Sequence, residues 1–344
     1  MKLGLVAGYS QAQLYLPMEV VREAEDLGFH SVWTAEAYGS DAVSPAAWIL
    51  ARTTKIKVGT AIMQMPARTP TMAAMTANTL NELSDGRFIL GLGPSGPGVV
   101  EGWYGVPYGR SLTRTREYID IVRKVLAREE PLTHEGFHYS IPNHGENTTG
   151  LGKPLKSILR SRHPLEIFTA AVTPKGWACA AEVADGVFPI WMDPERFDLL
   201  EPHLNSGFEL SGNSLDNFTV APFVQMVMDD DLDAARKKVK AFLALYIGGM
   251  GPREKNFYNR YACSMGYEEA AKTVQDLYLS GEQFKAAAAV PDELVDAVAL
   301  VGPEGRIRER LQVWKEAAAK NYVGAMMIAG ADTAGLQLLA KECM

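Results

Sequence analysis

Apolar positions along this chain follow two alternating rhythms. Short, nearly unbroken apolar runs alternate with longer stretches in which apolar residues recur every three or four positions. The first rhythm marks strands buried on both faces; the second marks amphipathic helices. Strands are predicted at residues 3–7, 31–35, 56–63, 87–92, 165–171, 187–191, 218–228 and 325–329. Helices are predicted between them at 17–27, 44–52, 72–83, 110–126, 174–184, 193–204 and 304–319, and a short helix closes the chain. Pro17 suits a first helical turn and Gly28 suits a helix end.

Strands interleaved with helices through short loops imply parallel crossovers. The predicted class is therefore α/β, a (β/α)8 TIM-like barrel over residues 1–344 as one domain, with an open doubly wound sheet as the alternative. Two stretches break the rhythm. Residues 130–164 read as loop with a hairpin, and 229–303 read as an almost wholly helical insertion between strands seven and eight.

Composition narrows the classes. With 344 residues, 47% of them hydrophobic, the chain can bury a large core. It carries 34 Lys and Arg against 41 Asp and Glu, a formal charge of -7, and the one dense basic run, at 236–240, follows Asp229, Asp230, Asp231 and Asp233. A nucleic-acid partner is not expected. Three scattered cysteines suggest neither a disulfide framework nor a zinc site. No apolar run approaches the roughly 18 residues of a membrane helix, and the first residues read as a strand rather than a signal peptide. A cytoplasmic enzyme with a small-molecule substrate is the expectation.

Two motifs invite over-reading. Gly91-Leu92-Gly93-Pro94-Ser95-Gly96 satisfies G-x-G-x-x-G directly after a strand, but a dinucleotide fingerprint needs its last glycine to open a helix and an acidic residue about 20 positions on. Here 97–105 reads as loop and the region twenty residues on as helix. His134-Glu135-Gly136-Phe137-His138 satisfies H-E-x-x-H, yet the zinc chemistry needs both imidazoles on one helix face. Between Pro131 and Pro142, around a central glycine, these residues read as a hairpin. No metal is expected.

A dispersed set of residues carries a resemblance. It comprises Gly59-Thr60-Ala61-Ile62, Leu83-Ser84-Asp85-Gly86-Arg87-Phe88 running to Gly91-Leu92-Gly93, Glu101-Gly102-Trp103-Tyr104-Gly105-Val106, Arg116-Glu117-Tyr118, Ala170-Ala171 with Pro174, and Ala184-Asp185-Gly186. In this order and spacing the chain resembles the luciferase-like family, and within it the deazaflavin-dependent reductases that include methylenetetrahydromethanopterin reductase. The resemblance implies a TIM-like barrel with an insertion between strands seven and eight. It also implies coenzyme F420, or alternatively FMN, at the carboxyl ends of the strands, and a non-prolyl cis peptide at Ala61-Ile62.

By the same carry-over, cofactor contacts fall on Glu36, Ala61, Ile62, Gln64, Gly93, Ser95, Gly96, Ala170, Ala171, Val172 and Thr173. Gln64 stands where relatives place a small hydroxyl residue. The family's sugar-phosphate dehydrogenases carry a His after the strand-two acid and a Glu after strand four. Here those positions are Ala37 and Pro97, so the acid–base pair for alcohol oxidation is missing. Reduction of an activated double bond or carbonyl needs less proton chemistry, and Tyr38, Tyr9 and Glu101 are the candidate donors. Trp191 and the glycine-interrupted segment with Gly249 and Arg253 are the candidate substrate contacts. Competing readings are an FMN-dependent monooxygenase and a non-catalytic cofactor-binding paralogue. A homo-oligomer, dimer or higher, is expected.

Overall fold

A computed structural model describes residues 1–10 and 12–344. The first half alternates strand and helix: β1 (Lys2–Gly8), α1 (Met18–Asp26), β2 (Ser31–Thr34), α2 (Val43–Leu50), β3 (Lys57–Thr60), β4 (Met63–Gln64), α3 (Pro70–Leu83), β5 (Phe88–Gly93), α4 (Pro97–Gly102) and α5 (Ser111–Ala127). A small antiparallel hairpin, β6 (His134–Glu135) with β7 (Ser140–Ile141), follows, then β8 (Glu166–Ala170), α6 (Pro174–Val183), β9 (Gly186–Phe188) and α7 (Glu201–Ser211). Next come β10 (Thr219–Val220) and β11 (Phe223–Met228). Five helices follow, α8 (Leu232–Ala244), α9 (Phe257–Ser264), α10 (Glu268–Leu279), α11 (Gln283–Ala288) and α12 (Asp292–Val298). The chain closes with β12 (Leu300–Gly302), α13 (Glu304–Ala319), β13 (Ala325–Ala329) and α14 (Thr333–Cys343).

All pairings in the main sheet are parallel, in the order β10-β9-β8-β5-β3-β2-β1-β13-β11-β12. The sheet is curled. β10 pairs β9 at one end of this path and β11 pairs β13 near the other, yet only Ala221-Pro222 separates them in the chain. The Ala221 amide donates to Val187 and the Met327 amide to Pro222, so the stretch 219–228 is bonded on both sides.

Strand residues alternate between two environments, as the period of two requires. Val32, Leu90, Ile167, Val187 and Ile328 join the core beneath the helices. Trp33, Ile89, Phe168, Phe188, Ala221, Ala325 and Met327 form a second cluster with no helical member, on the concave side. Trp33 meets Phe188 edge-on at 5.2 Å between centroids. A Cβ on Gly59 would lie 2.2 Å from the Trp33 ring, so only glycine admits the indole there.

The predicted elements differ from the structure in several places, among them the strand expected at 218–228, which is divided at Ala221-Pro222. The run 56–63 is interrupted at Ala61-Ile62, and only Met63–Gln64 resumes pairing, with β5. The loop expected at 97–105 opens with the six-residue α4, whose N-cap is Gly96 and whose first residue is Pro97. The predicted helix 193–204 begins only at Glu201, after a 3-10 turn at Phe197–Leu199. The insertion is not wholly helical, because Leu300–Gly302 adds a strand beside Met226–Met228. The H-E-x-x-H segment is the hairpin expected. His134 lies beside Glu117 and Asp120 of α5, whereas the His138 ring meets the Arg110 carbonyl and Arg114.

Candidate functional site

Because every strand of the curled sheet runs the same way, its carboxyl ends gather on one rim. That rim collects the turns after β1 (Tyr9), β2 (Glu36, Tyr38), β3 (Ala61, Ile62), β5 (Ser95, Gly96), β8 (Ala171, Val172, Thr173) and β9 (Trp191). Nearly all the residues singled out in the sequence therefore come together there. Ligands in parallel α/β folds bind at this side because loops can vary there without disturbing the core.

The floor is apolar. Val6, Ala61, Ile62 and Ala170 are partly exposed and pack onto the concave aromatic cluster. The Ala61-Ile62 peptide is cis. Around it, the Thr60 hydroxyl donates to the Gly91 carbonyl (2.7 Å) and accepts from the Gly91 amide (3.0 Å). A Cβ on Gly91 would fall 1.6 Å from the Thr60 carbonyl oxygen, and one on Gly93 2.3 Å from Ile62 Cδ1. The G-x-G spacing thus serves close approach of the kinked strand rather than a pyrophosphate. Ser95 adopts a left-handed conformation (φ 59°).

Glu36 is buried and fully engaged. Its Oε1 accepts from the Gln64 amide (2.7 Å) and Arg68 Nη1 (2.6 Å); its Oε2 accepts from the Ala42 amide (3.0 Å) and Arg68 Nη2 (3.1 Å). Gln64 Nε2 donates to the carbonyls of Glu36 (2.9 Å) and Ala37 (3.2 Å), which fixes its amide orientation and leaves Oε1 buried with no partner among the described residues. The carboxylate holds the Arg68 guanidinium above its usual range against the opposing effect of burial. Arg68 escaped the sequence reading because its partner lies 32 residues away. The available signal was chemical: a carboxylate placed at an inward-facing strand end demands a cation.

After β8, the Thr173 hydroxyl caps α6 by accepting from the Gly176 amide (3.1 Å), and Trp177 Nε1 donates to the Ala171 carbonyl (3.1 Å). These bonds hold 170–173 as a fixed edge of the floor.

Of the three candidate donors, Tyr9 is part-exposed at 43%, and burial followed by the neighbouring Tyr38 raises its phenol above the ordinary value. It therefore carries its proton at neutral pH. Tyr38 is largely exposed. Glu101 is exposed and accepts from the Tyr108 amide (3.2 Å).

Trp191 is buried and packs against Tyr246, Tyr258 and Tyr261 of the inserted segment, so it joins the rim to the insertion. Gly249 ends a π-helical turn (Leu245–Gly249), and a Cβ there would come 2.5 Å from the Tyr278 ring. Arg253 pairs with Asp276 of α10. The residue that organises this segment was not singled out beforehand. Asn256, wholly buried, donates from Nδ2 to the Tyr246 and Ile247 carbonyls (both 3.0 Å). Its Oδ1 accepts from the Tyr258 (2.9 Å) and Asn259 (3.1 Å) amides.

A surface hollow of about 560 Å³ lies among Asn205, Phe208, Glu209 and residues 213–216. It precedes β10 and contains none of the residues above. Among the described residues no helix is long and apolar enough to cross a membrane.

Comparison with known proteins agrees with this architecture. Residues 6–321 match the model of the luciferase-like monooxygenase family. A Mycobacterium tuberculosis protein provisionally named a coenzyme F420-dependent oxidoreductase is 48% identical over 324 residues, covering 92% of each chain. The 5,10-methylenetetrahydromethanopterin reductase of Archaeoglobus fulgidus is 28% identical over 327 residues, covering 94% of this chain and 92% of the relative. In fold, the coenzyme F420-dependent tetrahydromethanopterin reductase of Methanopyrus kandleri superposes with a TM-score of 0.76 at 21% identity, over 99% of this chain and 97% of that one. The oxygenating constituent of 3,6-diketocamphane monooxygenase from Pseudomonas putida, solved with FMN, gives 0.64 at 20% identity, over 99% and 97% of the two chains. The curled parallel α/β sheet, the rim that gathers its loops and the match across most of its length make this chain a member of the luciferase-like monooxygenase family.

Proposed function

We propose that the chain is a coenzyme F420-dependent oxidoreductase that reduces an activated double bond or carbonyl of a small organic substrate. The observation that carries the reading is the rim floor of Val6, Ala61, Ile62 and Ala170, a part-exposed apolar surface suited to a planar ring. The names of the two sequence relatives support the deazaflavin in particular. When bound, such a cofactor supplies a hydride from its ring.

The chain's own residues do the rest. The floor covers one face of the ring and leaves the other to substrate. Residues 93–96 and 170–173 border it. Tyr9, protonated at neutral pH, stands as the proton donor on the rim, with Tyr38 beside it. Ala37 and Pro97 supply no acid–base group, which favours reduction over alcohol oxidation. The segment 245–256 acts as a lid over the substrate side. We read 219–228 as one strand, which closes the sheet into a (β/α)8 barrel with the insertion before its last strand, in a chain that acts as a homo-oligomer.

The FMN-dependent monooxygenase reading rests on the shared fold with an FMN-bound member. Titrating the purified protein with oxidised coenzyme F420 and, separately, FMN, followed by fluorescence quenching, separates the two. Tight deazaflavin binding with weak FMN binding is expected. Preference for FMN moves the protein to the monooxygenases, and binding of neither ends the cofactor reading.

A further inference from the structure

We infer that Glu36 never touches the cofactor and instead positions the floor beneath it, with Arg68 as the cation that makes this possible. The inference rests on the cofactor-binding reading above, and revises it at one residue.

An ionised carboxylate accepts about four hydrogen bonds. Glu36 already accepts four, two on each oxygen. Its side chain is 4% exposed, against 20% for Arg68. Neither an open lone pair nor surface is left for a ring.

The four donors identify what the carboxylate does. Ala42 is the N-cap of α2, Gln64 lies in β4, and Arg68 sits in the turn before α3. Glu36 follows β2, so one side chain ties together four segments that meet beneath the rim. Gln64 is held twice, its amide by the Glu36 carboxylate and its side chain by the Glu36 carbonyl. It is two residues from Ile62 and pairs with Gly93, the two sides of the floor's kink. The Tyr118 hydroxyl donates to the Arg68 carbonyl (3.2 Å), which anchors the cation to α5.

Removing Arg68 leaves a buried carboxylate without its counter-charge, a strongly unfavourable state that protonation relieves. The other titratable groups facing the pair are Asp41 ahead of α2, Tyr104 after α4 and Tyr118 of α5. Burial raises both phenols, so neither titrates in the range used. The Asp41 carboxylate caps the Val43 and Ser44 amides.

The test compares Arg68→Met, Glu36→Gln and the double variant in the full-length protein. It uses quenching of coenzyme F420 and FMN fluorescence, and thermal midpoints of the cofactor-free protein, both from pH 5.5 to 8.5. For Arg68→Met the expected loss of affinity at pH 8.5 is about tenfold or more, shrinking as pH falls, with an unfolding midpoint that rises on acidification relative to wild type. The double variant loses that pH dependence and binds within a few fold of Glu36→Gln. Should Arg68→Met not fold, Arg68→Lys takes its place, keeping the charge but losing the two-pronged contact. The inference is overturned if Glu36→Gln abolishes binding while the Arg68 variant binds normally, the pattern of direct contact. It is equally overturned if the midpoint of Arg68→Met, or of Arg68→Lys where Arg68→Met does not fold, follows the same pH profile as wild type. Wild-type protein that binds neither cofactor ends the cofactor reading, while the midpoints still decide the coupling of Glu36 and Arg68.

Discussion

The Thr60 side chain closes both hydrogen bonds of the Gly91 peptide positions that face it, donating to the Gly91 carbonyl and accepting from the Gly91 amide. One hydroxyl thus substitutes for the ladder where β3 breaks off, and the floor of the site begins at the next residue. Gly91→Ala would set a methyl group 1.6 Å from the Thr60 carbonyl, an overlap that only backbone movement relieves. We expect a loss of about 3 kcal/mol or more, with cofactor binding lost in whatever folds. Thr60→Val keeps the volume but orphans two buried polar groups, at a cost of about 1–3 kcal/mol. Urea unfolding should rank wild type above Thr60→Val above Gly91→Ala; a neutral Gly91→Ala contradicts the packing described.

Asn256 holds the π-helical turn and the start of α9 with four hydrogen bonds from its buried side chain. Asn256→Ala takes the side-chain partner from the Tyr246 carbonyl and from the Tyr258 and Asn259 amides, while Asn259 Nδ2 still reaches the Ile247 carbonyl (3.2 Å), and should cost about 2–4 kcal/mol. If 245–256 is a lid, the variant also raises KM more than it lowers kcat, and limited proteolysis cuts first within 249–255. Asn256→Asp keeps the acceptor side of the cap and should fall between the two. Unchanged KM with the same stability loss would make the segment purely structural.

His30 lies between β1 and β2 at the amino end of the sheet. Burial, and then the charges of Lys2 and Lys57, lower its pKa from 6.5 to about 4. The folded chain therefore binds this proton less readily than the unfolded chain. The associated stability is complete above about pH 6.5 and is lost as pH falls toward about 4. Between pH 6.5 and 5 the unfolded-state carboxylates are still ionised, so this window isolates the histidine. Urea midpoints of wild type should fall between pH 7 and pH 5, and those of His30→Gln should fall less. Parallel slopes for the two proteins would assign the effect elsewhere.

Much of this was legible along the chain. The strand at 325–329 and the helix at 304–319 coincide with their apolar patterns, because both are continuous and bounded by turn residues. The hairpin at 134–141 followed from its glycine and flanking prolines. The break at Ala61-Ile62 was invisible to periodicity, since the apolar run 56–63 continues through it, and only the family resemblance located it. Pro97-Gly98 looked like loop, yet proline is at home in a first helical turn and Gly96 precedes it as cap. The candidate cofactor contacts came from the family resemblance, and the apolar pattern located only the strand ends on which they fall. Arg68 and Asn256 were missed because each works on partners set by tertiary packing.

The central claim is hydride transfer from a deazaflavin on this floor. Its most direct test is single-turnover reduction of an activated alkene or carbonyl acceptor, with reduced coenzyme F420 deuterated at ring carbon C5 and oxygen excluded. Product carrying one deuterium, with return of oxidised cofactor fluorescence, is the predicted result. Unlabelled product, or turnover that occurs only with reduced FMN and places oxygen from labelled O₂ in the product, would contradict it.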